Sequence, residues 1–557
     1  MIRESTGQST ATEGTTMDFS TYQNAFFSEL LNGTGNIVLQ ARAGSGKTFS
    51  LKHAISKLVD SGVAPRGIIY VAFNVHVAEE AKEKLAHTGA EIRTSHSCGF
   101  RMVTRHFFPG DRRAPKNYVD SQKYRRIVRE LLERAQGRGD GKTDVVLPFE
   151  TLELLEDDGE AAKAVSTTVR LIDLVRNNLV SRDGVAAAID ALVDAHDLEL
   201  DDDALPFVRY AVPRACSLGL ARASETVDFG DMVWLPNVLD LSTPWFDFVL
   251  VDEAQDLTVA QREITKRLRR RSARMVFVGD DRQAIYGFAG ADVDSFNAII
   301  RDLEATVLPL PVCYRSPVSH IALAREIVSD IEAAPGASIG VLDACSNAEL
   351  SGRLKSGDLV LCRTTAPLIS KCLEAIANGV HARVRGRDIG ELIFATAKKI
   401  AKLEGFTAPA LVEFAHRWLN DQIAALGADA DESVIERLED RVACLEAIVE
   451  MGGPVSTMAE LKSRIDSIFS DEKPAIWFST VHRSKGLEED RVFVMRPDLL
   501  PHPRAKKTWQ IVQEENLRYI AMTRARKELI FVEKDGPATA SRRKSLEAMV
   551  ENLRKAA

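Results

Sequence analysis

The segment ARAGSGKT, residues 41–48, constrains the fold more than any other part of this 557-residue chain. It follows a short apolar run, NIVLQA (36–41), and precedes a helical pattern, KTFSLKHAISKLV. A glycine-rich turn between a buried strand and a helix directs backbone N–H groups and the helix N-terminus toward one point, which favours a bound phosphate. The sequence therefore predicts a phosphate-binding loop at the carboxyl end of a strand in a parallel α/β domain.

The residue types in this loop are those that bind the phosphates of a nucleoside triphosphate. Lys47 would reach the β- and γ-phosphates of ATP, and Thr48 would hold Mg²⁺ through its hydroxyl group. Ala41 stands where the general GxxxxGK(S/T) pattern has its first glycine. We assign nucleotide contact to Ala43, Gly44, Ser45, Gly46, Lys47, Thr48 and Phe49.

Two further strands end in polar residues that would complete a hydrolytic site. In FVLVDEAQD (248–256), Asp252 would coordinate Mg²⁺ and Glu253 would orient and deprotonate the attacking water. In VFVGDDRQAIYGFAGA (276–291), Gln283 could sense the γ-phosphate. Tyr286 and Phe288 in the same segment offer flat faces for stacked bases, although two aromatic residues alone are more often part of a core.

Composition restricts the class of protein without naming a function. The seven cysteines are scattered and form no CxxC pair, which argues against a zinc, iron–sulfur or disulfide site and favours a reducing cytoplasm. The sequence contains no apolar run near the ~20 residues that a membrane span needs. The net charge of −8 does not indicate nucleic-acid binding, but a local basic track can bind phosphate on an acidic protein.

Alternation of strand and helix patterns is interrupted twice by long helical stretches. We therefore predict two α/β cores, each carrying a helical insertion. The basic segment REITKRLRRRSAR (262–274) is predicted to be a helix with a solvated face.

Taken together in their order, the motifs resemble those of superfamily 1 DNA helicases of the UvrD/Rep/PcrA group, over roughly residues 22 to 533. The resemblance also rests on YQNAFF (22–27), AFNVHVAEEAKEKL (72–85), IRTSHSCGF (92–100), CYRS (313–316), VLCRTT (360–365), STVHRSKGLEEDRVFV (479–494) and EENLRYIAMTRA (514–525).

The resemblance implies roles for residues in these motifs. Gln23 and Tyr314 would contact adenine, Glu488 the ribose, and Arg315 and Arg524 the γ-phosphate. The residues that would contact DNA are Phe73, Asn74, Thr94, His96, Tyr286, Phe288, Arg363, His482 and Lys485. The family commonly has arginine at the positions of Ala289 and Asn516, so coupling between DNA and ATP is in question there.

The resemblance further implies two RecA-like parallel-sheet domains with ATP and Mg²⁺ in the cleft between them. The expected division is a disordered leader (1–20), a first RecA-like domain (21–107 and 206–305) with a helical insertion (108–205), and a second RecA-like domain (306–390 and 473–557) with a short helical insertion (391–472).

The implied activity is ATP-driven translocation on single-stranded DNA in the 3′→5′ direction, with unwinding of duplex DNA in repair, replication or recombination. One alternative is a translocase that unwinds poorly, because the second insertion is short. Another is the ATPase subunit of a repair or anti-phage nuclease complex. Because nothing in the sequence resembles a module that reads the 2′-OH, we expect DNA rather than RNA. We expect a cytoplasmic monomer, nucleoid-associated if bacterial, that acts at single-strand/duplex junctions and has possible repair or nuclease partners.

Overall fold

A computed structural model gives the fold of residues 19–556, with the exception of 111–112, 139–144, 196–197, 199–200, 244, 286–294, 427–431 and 471–473. Almost all of the predicted leader lies outside the described residues, as do Tyr286, Phe288 and Ala289. None of the helices in the described part is both long and apolar enough to cross a membrane.

The first domain is built on six parallel strands in the order β3-β2-β4-β5-β1-β6. Their bounds are β1 (Ile37–Ala41), β2 (Ile68–Ala72), β3 (Glu91–Thr94), β4 (Phe246–Val251), β5 (Arg269–Gly279) and β6 (Thr306–Leu310). Helices that pack on this sheet are α1 (Thr21–Asn32), α2 (Lys47–Asp60), α3 (Val75–Leu85), α4 (Ser95–Phe107), α10 (Phe229–Val238), α11 (Val259–Arg267) and α12 (Ser295–Leu303).

Two predictions about this region are corrected. The first domain does not end at residue 305, because β6 pairs with β1 from Thr306 to Leu310. Residues 262–274 are not one helix, since α11 ends at Arg267 and β5 begins at Arg269. Arg274 lies inside β5 and donates to the carbonyl groups of Glu29 and Leu30, so it binds the end of α1.

The first helical insertion has its own apolar core. It contains α5 (Lys123–Ala135), α6 (Phe149–Leu154), α7 (Asp158–Asn177), α8 (Val185–Ala195) and α9 (Leu205–Ala221). Buried side chains of α9, among them Phe207 and Ala211, belong to the same hydrophobic cluster as Ile127 of α5 and Leu171 of α7. The predicted end of the insertion at residue 205 is therefore too early, because α9 packs with the insertion.

The second domain is built on seven parallel strands in the order β12-β11-β13-β10-β14-β15-β9. Their bounds are β9 (Val341–Ser346), β10 (Leu359–Cys362), β11 (Ala382–Arg385), β12 (Phe469–Ser470), β13 (Ile476–Thr480), β14 (Glu489–Met495) and β15 (Ala525–Glu533). A small pair, β7 (Val312–Cys313) and β8 (Glu332–Ala333), precedes them. The flanking helices are α13 (Val318–Arg325), α14 (Asn347–Arg353), α15 (Ala366–Ala377), α20 (Thr508–Met522) and α21 (Pro537–Ala556). The predicted fold, two parallel α/β domains each with a helical insertion, is confirmed.

The second helical insertion shares the hydrophobic core of its domain. Its helices are α16 (Arg387–Ile400), α17 (Leu411–Leu426), α18 (Glu432–Gly452) and α19 (Met458–Ile468). Leu438 and Leu445 of α18 lie in the same buried cluster as Val360 of β10 and Phe478 of β13. This insertion is therefore packed directly on the second domain.

Candidate functional site

The phosphate loop lies between β1 and α2 at the carboxyl edge of the first sheet. Gly44 and Gly46 have φ values of +69° and +80°, a region that favours glycine. Gly46 caps α2 through its backbone with no side-chain acceptor, so the first N–H groups of the helix remain available for an anion. The hydroxyl group of Ser45 is buried and makes no hydrogen bond within the described chain. These features fit a bound phosphate.

The predicted magnesium ligands lie side by side. The hydroxyl group of Thr48 donates to Asp252 Oδ2 over 2.9 Å, and the buried Tyr70 hydroxyl donates to the same oxygen over 2.7 Å. Burial raises the pKa of Asp252, and the neighbouring charge of Glu253 raises it further. A hydroxyl group beside a carboxylate, at the N-terminus of α2, is a donor set that suits Mg²⁺.

Lys47 is paired with the predicted catalytic base. Its ammonium group lies 2.9 Å from Glu253 Oε2, and Gln255 donates to that same oxygen. Burial acts to raise the pKa of Glu253, but the charges of Lys47 and Lys485 outweigh it and lower the pKa to about 2. While this pair is intact, Glu253 is a poor proton acceptor.

Arg315 of the second domain lies against the phosphate loop, and Arg524 lies close enough to Arg315 for their charges to interact. Arg315 pairs with Glu488 and donates to the carbonyl group of Thr523 over 3.2 Å. Arg524 is 2% exposed, and burial together with the nearby charge of Arg315 lowers its pKa to about 9. A buried arginine whose charged form is disfavoured is suited to an incoming phosphate.

The segment that carries Tyr314 and Arg315 touches the phosphate loop directly. The Tyr314 amide donates to the Gly44 carbonyl over 2.9 Å, and the Tyr314 side chain is 51% exposed at the cleft. A β-carbon on Gly44 would lie 2.7 Å from Cys313 Sγ and 2.8 Å from Arg315 Cβ. Glycine is therefore required here by contact as well as by φ.

Two residues predicted to contact the nucleotide, Gln23 and Gln283, form hydrogen bonds within the protein. Gln23 is buried, its amide oxygen accepts from the Ser20 backbone, and its amide nitrogen donates to Ser50. It lies beside Gly46, so it supports the loop, while its contact with adenine stays a prediction. Gln283 donates to Asp280 over 2.7 Å.

The resemblance implies that Lys485 lies on the DNA-binding surface. In the structure this residue does not lie on an exposed surface. Its side chain is 10% exposed, pairs with the buried Asp256 and donates to the Gln283 carbonyl over 2.8 Å. It therefore joins the second domain to the strand ends of the first, because two acceptors there bind its ammonium group.

The remaining DNA-binding candidates of the first domain lie at the carboxyl ends of β2 and β3. Asn74 and Thr94 cap α3 and α4 through their side chains. Phe73 and His96 are half-buried beside them, and burial lowers the pKa of His96. The structure thus brings these four residues to the same edge of the sheet as the phosphate loop, on the far side of β4 and β5.

Two second-domain candidates, Arg363 and His482, line a cavity of about 710 Å³. Arg363 is held there by Glu514 at 2.8 Å and Glu436 at 3.3 Å. Burial and the charge of Arg363 lower the pKa of His482 to about 3, so this histidine is neutral at pH 7. Residues from both insertions complete the wall, including Arg170 and Asp440.

Sequence comparison identifies the group to which this architecture belongs. The model of the UvrD/REP helicase N-terminal domain matches residues 23–304, and the model of the UvrD-like helicase C-terminal domain matches residues 369–535. The chain belongs to the UvrD/Rep helicase family.

Named members of the family are similar to the chain at low identity. The ATP-dependent DNA helicase Rep of Escherichia coli is 26% identical over 354 residues, which are 59% of this chain and 47% of Rep. The DNA helicase II of Rickettsia typhi is 25% identical, over 54% of this chain and 43% of that protein. The ATP-dependent DNA helicase PcrA of Staphylococcus aureus is 26% identical, over 56% and 40%. The chain spans about half the length of the curated relatives it matches.

Two departures noted in the sequence have a local explanation in this UvrD/Rep-type chain. Ala41 is the last residue of β1, where the backbone is extended and glycine is not required. Asn516 is buried and donates to the Ala284 carbonyl over 3.0 Å, so it forms a contact between the domains.

Sequence reasoning missed several residues of the site. Tyr519 lies under the phosphate loop, where its hydroxyl group accepts from the Ala43 amide over 2.8 Å. Arg42 pairs with acids of both domains. Trp509 and Arg504 line the cavity beside His482. Among these residues, only Arg42 carried a signal in the sequence, which is its position inside the phosphate loop.

Proposed function

We propose that this chain is an ATP-dependent DNA helicase that translocates 3′→5′ along single-stranded DNA. The observation that carries the proposal is the contact between the Arg315 segment of the second domain and the phosphate loop that holds Lys47, so that residues of both domains meet at the loop. Hydrolysis by such a divided site depends on the two domains being together, which couples chemistry to movement.

The contacts that Lys47 and Thr48 make within the chain indicate what ATP would displace. Lys47 and the N-terminus of α2 would hold its phosphates, while Thr48 and Asp252 would hold Mg²⁺. When bound, Mg²⁺ would neutralise charge that develops on the phosphate oxygens. Transfer of Lys47 from Glu253 to phosphate would raise the pKa of Glu253, because the largest lowering influence on that carboxylate is Lys47. Glu253 would then orient the attacking water and accept its proton.

Single-stranded DNA would cross the carboxyl edges of both sheets. Phe73, Asn74, Thr94 and His96 would contact it on the first domain. On the second domain it would enter the cavity that holds Arg363, with Trp509 as a flat surface for a base. Phosphates would compete with Glu436 and Glu514 for the Arg363 guanidinium group.

The test is steady-state ATP hydrolysis with Mg²⁺, measured with single-stranded DNA, matched RNA or neither. We expect strong stimulation by DNA, and a fall of at least about 100-fold in Lys47→Ala, because one charged phosphate contact is lost. Lys57→Ala, in the last turn of the same helix, is the matched control and should behave as wild type. Equal rates in Lys47→Ala and wild type, or no hydrolysis with any nucleic acid, would refute the proposal.

A second candidate is a translocase that removes bound proteins but unwinds poorly. The observation that favours it is the short second insertion, whose helices are packed on the second domain and share its buried core. Unwinding of a 3′-tailed duplex and displacement of streptavidin from biotinylated single-stranded DNA, compared at equal ATP turnover, separate the two. Displacement without unwinding would favour the translocase.

A further inference from the structure

Three consecutive residues of the phosphate loop each bind the second domain. Arg42 pairs with Asp330, the Ala43 amide donates to the Tyr519 hydroxyl group, and the Gly44 carbonyl accepts from the Tyr314 amide. The last two contacts use the loop backbone. Only Arg42 uses a side chain, so its contribution can be removed by substitution.

The guanidinium group of Arg42 bridges the two domains and is nearly buried. Nε and Nη2 donate to the two carboxylate oxygens of Asp330 over 2.8 and 2.7 Å. Nη1 donates to Asp281 over 2.7 Å and to Asp280 over 3.4 Å, both in the first domain. The side chain of Arg42 is 6% exposed. Two-point pairing of this kind fixes orientation as well as distance.

Asp330 lies in a segment that is packed into the second domain. Its neighbours Val328 and Ile331 are buried in a cluster that also contains Ala43 of the phosphate loop and Tyr519 of α20. The hydrogen bonds from Arg42 are the largest influence on Asp330 and lower its pKa, and Arg282 acts weakly in the same direction. The carboxylate is therefore ionised and held in place at neutral pH.

We propose that Arg42 and Asp330 are positioning residues for nucleotide binding, and that their pairing holds the phosphate loop in its binding shape. Arg42 is directed away from the phosphates, toward Asp330, and so differs from Arg315 and Arg524. The loop is then set by the position of the second domain before any nucleotide arrives. This inference rests on the proposed ATPase function.

Asp330→Asn is the first test, because it removes the charge without changing the size of the side chain. We expect the dissociation constant for a fluorescent, non-hydrolysable ATP analogue to rise about tenfold, equivalent to about 1.4 kcal/mol. Asp330→Glu keeps the charge and should retain most of the affinity. Glu326→Gln is the matched control, since Glu326 lies four residues away and pairs with Arg518 within the second domain.

A double-mutant cycle separates the pairing from other effects at either residue. Asp330→Asn should add nothing further to Arg42→Gln, because the partner is already absent. If the two effects on analogue affinity simply add, Asp330 does not act through Arg42 and the inference is wrong.

Hydrogen exchange without nucleotide provides a readout that needs no ATPase activity. Amides of residues 42–46 should exchange faster in Asp330→Asn than in wild type or in Glu326→Gln. Unchanged exchange together with unchanged analogue affinity would overturn the inference while leaving the proposed function intact. If wild type hydrolyses no ATP but Asp330→Asn still exchanges faster, the proposed function alone is refuted.

Discussion

Lys485→Met tests whether this lysine belongs to the domain interface or to the DNA-binding surface. In the structure its ammonium group neutralises Asp256, a carboxylate that is 1% exposed, and donates to the Gln283 carbonyl. Burial raises the pKa of Asp256 from 3.8 to about 6 even with Lys485 beside it. At pH 7 Asp256 is therefore ionised in the folded wild-type protein.

The cost of the substitution follows from these pKa values. One pKa unit corresponds to about 1.4 kcal/mol, so ionised Asp256 already reduces the free energy of unfolding by about 3 kcal/mol. Without Lys485 the pKa of Asp256 rises further, because the charge and the hydrogen bond that lower it are lost, and the cost of burying this group at pH 7 grows. Together with about 1 kcal/mol for the lost hydrogen bond to the Gln283 carbonyl, this gives a destabilisation on the order of 2 kcal/mol.

The destabilisation should depend on pH. A raised carboxyl pKa gives stability that is present below pH 3.8 and lost as pH rises to the folded pKa. Wild type stops losing stability near pH 6, whereas Lys485→Met continues to lose about 1.4 kcal/mol per pH unit above it. Urea denaturation at pH 6, 7 and 8 measures this difference.

Two controls complete the experiment on Lys485. Lys485→Arg keeps the charge and should be close to wild type, and Asp256→Asn in the Lys485→Met background should remove the pH dependence. Two results together would refute the reasoning. They are a destabilisation that does not change with pH, and weaker binding of single-stranded DNA with a salt slope reduced by about one. That result would place Lys485 on the DNA backbone.

Three further outcomes are expected. Burial and the charge of Arg363 lower the pKa of His482 to about 3, so between pH 6 and pH 4 only the unfolded chain takes up a proton there. The free energy of unfolding of wild type should therefore fall by about 1.4 kcal/mol per pH unit relative to His482→Gln over this range, measured by urea titration. Parallel pH dependences of the two proteins would contradict this. Gly44→Ala should weaken ATP-analogue binding at least about tenfold, because the methyl group would meet Arg315, whereas Gly62→Ala adds its methyl group in open space at a similar φ and should leave binding unchanged. Tyr519→Phe should lower the free energy of unfolding by about 1–3 kcal/mol, since buried partners of its hydroxyl group are left unsatisfied, and an unchanged denaturation midpoint would argue against that contact.

Local patterns predicted the ATP site, because its residues follow strands that are recognisable by themselves. Lys47, Thr48, Asp252 and Glu253 meet as expected, since strands of one parallel sheet end at the same edge. The partners of Lys485 and Arg42 were not predictable, because Asp256 and Asp330 lie more than two hundred residues away in the sequence.

The errors in the fold have physical causes. The expected boundary at residue 305 placed β6 in the second domain, whereas its pairing with β1 makes it the edge strand of the first sheet, a position that accepts Pro309. The expected end of the first insertion at residue 205 falls at the start of α9, whereas the burial of Phe207 and Ala211 against α5 and α7 decides where α9 belongs. The arginines of residues 269–271 are compatible with a helix, and only pairing with β4 makes them strand.

The second insertion completes its domain and is not an appendage. Because Leu438, Leu445 and Ile465 cover the same buried face as Val360 and Phe478, deletion of these helices would leave one side of the sheet uncovered. An engineer who trimmed residues 391–470 to obtain a faster motor should therefore recover insoluble protein. For the same reason, transplantation between relatives would have to move the whole second domain as one module.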